Sequence, residues 1–219
     1  MDAQKDSSLR NMVLTRVRAD IISGHSAPGT MYSVPSLASE LGVSTTPVRE
    51  ALLALAGDGL ITPMRNRGFR VEATSLKELK DLFALRVLVE CYAMEMLADS
   101  GLTETDELRR LADQVGRAVE TKNGIGYIET DRSFHLALVA RVGNPRLTKL
   151  VKELRDGMRL HGLESPAGRE RQIASVAEHH ELIDLAVARD RHGIVELMKQ
   201  HIVSWEPVFT EALKARGET

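Results

Sequence analysis

One stretch of the sequence decides the fold, and it reads LASELGVSTTPVREAL from Leu37 to Leu52. A short apolar-periodic helix ends at Gly42, because glycine adopts the left-handed conformation found just past many helix ends. A second helix starts within four residues and carries Pro47 in its first turn, where no N–H partner is needed. Two helices joined by so tight a turn predict a helix-turn-helix, whose second helix enters the major groove of DNA.

The start of the second helix holds candidate DNA contacts. Three hydroxyl residues open the helix and can cap it, and Arg49 follows on the outer face. The alternative for Arg49 is an exposed helix residue without a ligand. Apolar residues pack the two helices together: Leu41, Val43, Val48, Leu52 and Leu55. The candidate DNA-binding residues of this helix are Ser44, Thr45, Thr46 and Arg49.

The flanking segments predict a winged version of this motif over residues 1–74. Apolar residues recur with a helical period from Ser8 to Ser23, before Gly24. Downstream, 60–62 and 69–71 are predicted as two short strands around a basic tip.

The tip of this hairpin is the second candidate DNA contact. Arg65 and Arg67 can reach phosphate or the minor groove, and Gly68 lets the backbone approach DNA closely. The alternative is a basic surface hairpin without a ligand.

The remainder, 75–219, is predicted to be an all-α antiparallel bundle that binds an effector and dimerises. Ala73-Thr74-Ser75 is the predicted linker, with Ser75 able to cap the next helix. Six helices are predicted, near 76–100, 103–122, 125–142, 146–162, 168–189 and 191–215.

Composition fits a mainly α-helical cytoplasmic protein. Of 219 residues, 43% are apolar and only 4% aromatic, which favours helical domains. There is no apolar run of membrane-spanning length and no signal-peptide core. The single Cys91 excludes an intramolecular disulfide and suits a reducing cytosol. Net charge is −2, so attraction to DNA must come from local placement of arginines.

Four side chains of the bundle could hold a metal ion. Asp131 and His135 are four residues apart and share one helix face. His201 lies on the last predicted helix, and either His179 or His180 on the one before it. One Asp and three His can converge in a bundle and would suit zinc, nickel or manganese. The alternative is a set of unrelated, hydrogen-bonded histidines.

Two further residues are candidates for effector binding. Arg86 could bind an anionic effector, or it could form an i,i+4 ion pair with Glu90. Asn144 could also contact the effector, or it could be the turn residue before Pro145.

The chain resembles GntR-family regulators with an all-helical FCD effector domain, over about residues 8–215. The first anchors are the helix-turn-helix stretch and the blocks Asp58-Gly59-Leu60-Ile61 and Gly68-Phe69-Arg70-Val71. The others are Asp131-Arg132-Ser133-Phe134-His135, Gly143-Asn144-Pro145, Glu178-His179 and His201-Ile202.

This resemblance implies a metal site on Asp131, His135, His179 and His201, with zinc the first expectation. Six bundle helices resemble the shorter, VanR-like version of the effector domain. Pro35 and Thr45 depart from the family pattern at positions that often contact DNA.

Together these features predict a ligand-responsive transcriptional repressor. It is expected to be a homodimer that binds a palindromic operator and a small organic acid, without a membrane partner. One alternative is a metal-dependent hydrolase or lyase tethered to DNA, although no residue beyond the ligands is placed as a general base. Another is a constitutive DNA-binding protein with a structural metal.

Overall fold

A computed structural model describes residues 2–158, 162–215 and 217, with side chains from residue 8 onward. The chain divides into two compact units, Met1–Thr74 and Ser75–Thr219. None of the described helices is long and apolar enough to cross a membrane.

The N-terminal unit is a winged helix-turn-helix, which confirms the predicted fold. Its elements are α1 (Asp2–Ile22), β1 (Met31–Tyr32), α2 (Val34–Leu41), α3 (Thr45–Gly57), β2 (Ile61–Met64) and β3 (Gly68–Val71). Gly42 ends α2 in the left-handed region with φ +66°, as its position predicted. Ser33 caps the other end of α2, where its Oγ accepts from the Ser36 backbone N–H.

The sheet has a third strand that the sequence did not indicate. Strand β1 pairs antiparallel with β3, and the sheet order is β1-β3-β2. Two residues are too few to show the alternation that marks a strand in a sequence. Their conformation depends instead on tertiary pairing with Phe69 and Arg70.

The core of this unit joins all three helices to the sheet. Residues from all three helices and from β2 and β3 are buried together, among them Val13, Val17, Leu37, Val48, Leu52, Leu55, Leu60 and Phe69. This packing leaves the outer face of α3 and the β2–β3 hairpin exposed.

The described residues of the C-terminal unit form seven helices rather than the predicted six. They are α4 (Leu76–Ser100), α5 (Asp106–Glu120), α6 (Gly124–Ala140), α7 (Pro145–Asp156), α8 (Pro166–Ala188), α9 (Arg191–Val203) and α10 (Glu206–Ala215). Helix α4 opens with a capping box between Ser75 and Glu78, which confirms Ser75 as its cap.

The predicted last helix, 191–215, is broken at Ser204 and Trp205. The Ser204 hydroxyl donates to the Gln200 carbonyl at 2.7 Å, a bond that bends helices. Pro207 follows and cannot donate to a continuing helix, so a new helix starts around it.

The predicted 146–162 helix also ends early, at Asp156. Of its expected remainder, Gly157 and Met158 are not helical, and 159–161 lie outside the described residues.

Candidate functional site

Four predicted ligands meet in the interior of the bundle. Helix α6 supplies Asp131 and His135, α8 supplies His179, and α9 supplies His201. One ligand atom from each lies within 4.8 Å of the others. All three imidazoles are buried, whereas Asp131 is partly exposed.

The separations between these ligand atoms fit a single shared ion. The Nε2 atom of His135 lies 3.1 Å from Nε2 of His201 and 3.2 Å from Nε2 of His179. Asp131 Oδ1 lies 3.3 Å from His179 Nε2 and 3.7 Å from His135 Nε2. Ligand atoms about 2.1 Å from one shared ion lie about 3.0 Å apart at right angles and about 3.4 Å apart at tetrahedral angles. The residues present therefore fit a divalent transition metal.

The hydrogen bonds of the rings direct their Nε2 atoms to this centre. His201 donates from Nδ1 to Glu178 Oε2 at 2.6 Å, which leaves Nε2 unprotonated in the neutral ring. The buried Nδ1 atoms of His135 and His179 have no hydrogen-bond partner in the described part of the chain. Both rings therefore interact through Nε2, the atom aimed at the shared centre.

The local pKa shifts favour the forms that bind a metal. Burial, reinforced by nearby Arg155, holds the pKa of His135 well below its usual range. Burial also lowers the pKa of His201 to about 4, although its bond to Glu178 opposes that shift. Burial raises the pKa of Asp131, but His179 and Arg155 outweigh it, so that pKa lies below its usual range. His135 and His201 are thus neutral and Asp131 ionised at pH 7, as coordination requires.

A layer of ion pairs surrounds the four ligands. Of these pairs, only the one between Arg86 and Glu90 was considered from the sequence. Arg155 donates from Nε and Nη2 to Glu90 Oε2 at 3.0 and 2.6 Å, and from Nη1 to Asp131 Oδ2 at 3.2 Å. Arg155 therefore holds the carboxylate of Asp131 through Oδ2, whereas Oδ1 lies near the histidines. On the other side, Arg171 donates to Glu178, the partner of His201.

Arg86 forms the ion pair that was the alternative to effector binding. Its Nε donates to Glu90 Oε1 at 2.8 Å, and its Nη1 lies 2.7 Å from the sulfur of Met158. Both members of the pair are buried. The guanidinium is thus engaged inside the protein, as the i,i+4 spacing allowed.

Asn144 and His180 lie in other surroundings. Asn144 is exposed and caps α7, where its Oδ1 accepts from the backbone N–H groups of Arg146 and Leu147. The side chain therefore has the turn role that was the alternative to effector binding. His180 is partly exposed and pairs with Asp113 at 3.4 Å, outside the metal cluster.

The candidate DNA-binding residues form an exposed surface of the N-terminal unit. Ser44, Thr45, Thr46 and Arg49 are all exposed at the start of α3, as are Arg65 and Arg67 in the hairpin. Ser44 occupies the N-cap position without a side-chain capping bond. A groove of about 510 Å³ has Arg49 and Arg67 in its lining, together with Pro35.

Gly68 has a structural role within the wing. Its φ of +107° is unfavourable for residues with a side chain, and an added Cβ would overlap the Tyr32 carbonyl oxygen. Gly68 therefore allows a close backbone approach to β1 of the same domain, and its approach to DNA stays a prediction.

Comparison with known proteins agrees with both units. The family model for bacterial regulatory proteins of the gntR family matches residues 9–71, and the family model for the FCD domain matches residues 81–204. The chain belongs to the GntR family, in the group with an FCD domain. Members of this family are transcriptional regulators rather than enzymes, which confirms the predicted resemblance and excludes the hydrolase alternative.

Curated relatives extend along nearly the whole chain. The HTH-type regulator BphR of Paraburkholderia xenovorans is 30% identical over 90% of this chain and 83% of its own length. The regulator McbR of Escherichia coli is 30% identical over 90% of this chain and 93% of its own length. The E. coli transcriptional repressor GlaR is 26% identical over 90% of this chain and 94% of its own length.

Solved structures share the fold. E. coli McbR superposes with a TM-score of 0.75 at 26% identity, over 93% of this chain and 98% of the other. A structure described as a metal-free FCD domain has a TM-score of 0.53 at 21% identity and covers 65% of this chain and 99% of its own.

Proposed function

We propose that this GntR-family regulator is a homodimeric, ligand-responsive repressor located in the cytoplasm. Its C-terminal domain would bind one divalent metal ion and a small carboxylate effector. The observation that carries the proposal is the convergence of Asp131, His135, His179 and His201 behind a layer of buried ion pairs. FCD domains can bind metal, and a mixed imidazole and carboxylate set favours zinc over magnesium or calcium.

DNA binding is supported by the exposed surface of α3 and the wing. GntR regulators bind operators and are typically dimers, so two such surfaces would read a palindrome, one half-site each. Arg49 would contact base edges in the major groove, and Arg65 and Arg67 would contact phosphate or the minor groove. Repression follows the relative GlaR, which is described as a repressor.

An anionic effector is supported by the charge balance around the metal site. The carboxylates of Glu90, Asp131 and Glu178 are matched by three guanidiniums, those of Arg86, Arg155 and Arg171. A divalent ion would add two uncompensated positive charges to this largely buried cluster, and a carboxylate would offset them. The ion would supply a Lewis-acid centre with an open coordination position for an effector oxygen.

The protein's own part is to hold the ligands and to transmit binding. Glu178 fixes the tautomer of His201, and Arg155 orients Asp131. An effector that binds one arrangement of the dimer more tightly would shift the population of DNA-competent regulators by that difference in affinity.

Elemental analysis of protein purified without chelator tests the metal site. We expect near-stoichiometric metal in the wild type and its loss in the double variant His179→Ala/His201→Ala. Because His180 lies outside the cluster, His180→Ala is the matched control and should retain metal. Retention by the double variant, with a native circular dichroism spectrum, would refute the ligand assignment. The metal identified by the same measurement distinguishes zinc from nickel and manganese.

A further inference from the structure

One cavity of the C-terminal domain lies apart from the metal-ligand cluster. It has a volume of about 120 Å³, is open to solvent, and lies where the end of α5 meets the starts of α6 and α8. Helix α5 contributes Val119, α6 contributes Gly124, and α8 contributes Gln172 and Ile173. In the described part of the chain, no side-chain hydrogen bond or ion pair joins a lining residue to one of the four metal ligands. The cavity is therefore a separate place for a ligand.

Hydrogen bonds build one wall of this cavity in advance of any ligand. Gln172 is buried and donates from Nε2 to the carbonyls of Leu163 at 2.7 Å and Gly168 at 3.3 Å. The Ser165 hydroxyl donates to the Gly162 carbonyl at 2.7 Å and accepts from the Gly168 N–H at 3.0 Å. These bonds hold the 162–165 segment against α8. A wall fixed in this way spares a ligand the cost of ordering it.

The apolar part of the lining indicates the size of the ligand. Three aliphatic side chains line the cavity, and they are Val119, Leu163 and Ile173. An apolar cavity of about 150 Å³ in another protein binds benzene. The present cavity is slightly smaller but open to solvent, so it admits an apolar body of about six carbon atoms. Such a body would also cover Ile173, which is 65% exposed.

The charged part of the lining selects an anion. Lys122 and Arg169 supply two positive charges and Glu164 supplies one negative charge, so the lining carries a net charge of +1. Lys122 is exposed and makes no hydrogen bond or ion pair with any residue that the structure describes. Arg169 donates from Nε to the Glu164 backbone carbonyl at 3.1 Å, which leaves its two Nη groups for another acceptor. A carboxylate accepts from both kinds of cation.

We infer that this cavity binds a small monocarboxylate with an apolar body of about six carbon atoms, such as benzoate. The body would pack on Val119, Leu163 and Ile173, and the carboxylate would pair with Lys122 and Arg169. The inference goes beyond the metal-dependent effector of the proposed function, because this site needs no metal ion. Since no side-chain bond links the cavity to the metal ligands, its occupancy should leave operator affinity unchanged.

Isothermal titration calorimetry on chelator-treated, full-length protein tests the ligand class, with the fold checked by circular dichroism. Benzoate should bind with a dissociation constant of about 0.1–1 mM. Benzyl alcohol has the ring without the charge and should bind at least about 5-fold more weakly. Equal affinities for the two would overturn the anionic class, and the absence of benzoate binding would overturn the site.

Substitutions in the lining test the location. Lys122→Gln should weaken benzoate about 3- to 10-fold and leave benzyl alcohol unchanged, whereas Ile173→Ser should weaken both ligands by about that factor. The matched controls are Lys149→Gln in α7 and Val187→Ser at the far end of α8, where Val187 is 48% exposed. Both controls should keep the wild-type constants. Unchanged benzoate binding by the folded double variant Lys122→Gln/Ile173→Ser would place the ligand elsewhere and overturn the inference.

Discussion

The arginines of the candidate DNA-binding surface and those beside the metal-ligand cluster are held in opposite ways. In the N-terminal domain, Arg49, Arg65 and Arg67 are exposed and make no hydrogen bond or ion pair within the described chain. In the C-terminal domain, Arg86 and Arg155 are buried against carboxylates. An exposed guanidinium is available to an external phosphate, whereas a buried one must be neutralised inside the protein. The first arrangement suits recognition of DNA, and the second suits a fixed internal site.

The largest loss of stability is expected from the substitution Arg155→Met. Removal of the guanidinium leaves Glu90 and Asp131 with less compensation in the interior, which should destabilise the metal-free protein by about 3–5 kcal/mol. Arg109→Met is the control, because Arg109 pairs with Asp184 at the surface and should cost under about 1 kcal/mol. Urea unfolding followed by circular dichroism gives both values. Equal losses would contradict the distinction between buried and exposed arginines.

A smaller effect is expected in the wing, where Gly68→Ala adds a Cβ against the Tyr32 carbonyl. Backbone strain and overpacking together should lower the free energy of unfolding of the N-terminal domain by about 2–4 kcal/mol. Gly57→Ala is the matched control, since an added Cβ there meets no neighbouring atom and φ is not positive. That change should be neutral or slightly stabilising. If the two variants melt at the same temperature, Gly68 is not required for strand packing.

The smallest of these energies is expected from Arg49→Ala, measured on an operator selected from random DNA. Loss of one arginine contact to a base should cost about 1–3 kcal/mol of binding free energy. Arg16→Ala removes the same charge from a residue that pairs with Asp20, and should change affinity much less. Fluorescence anisotropy at fixed salt compares the two. Equal binding by Arg49→Ala and wild type would remove Arg49 from the DNA interface.

The sequence predicted the elements whose signals are local. Gly42 and Pro47 marked the turn of the helix-turn-helix, and the four-residue spacing of Asp131 and His135 placed both on one face. The choice of His179 over His180 came from family resemblance, because neighbouring helix residues differ by only about 100° in direction. The structure places His179 in the cluster and His180 beside Asp113.

Features that depend on distant partners were missed. Strand β1 exists through its pairing with β3, and the role of Arg155 depends on Glu90 and Asp131 from two other helices. No pattern among neighbouring residues of the sequence predicts contacts between distant segments. The break before α10 was different, because Pro207 was visible in the sequence and its effect on the preceding turn was overlooked.

We propose that the metal centre makes the DNA-binding domain responsive to a small carboxylate. It is tested most directly by titrating a panel of mono- and dicarboxylic acids into the regulator bound to its selected operator, followed by fluorescence anisotropy. We expect at least one acid to change operator affinity in metal-loaded protein and to have much less effect after chelation, with the fold intact by circular dichroism. An acid that acts equally on both forms, or a neutral metabolite as the natural effector, would contradict it.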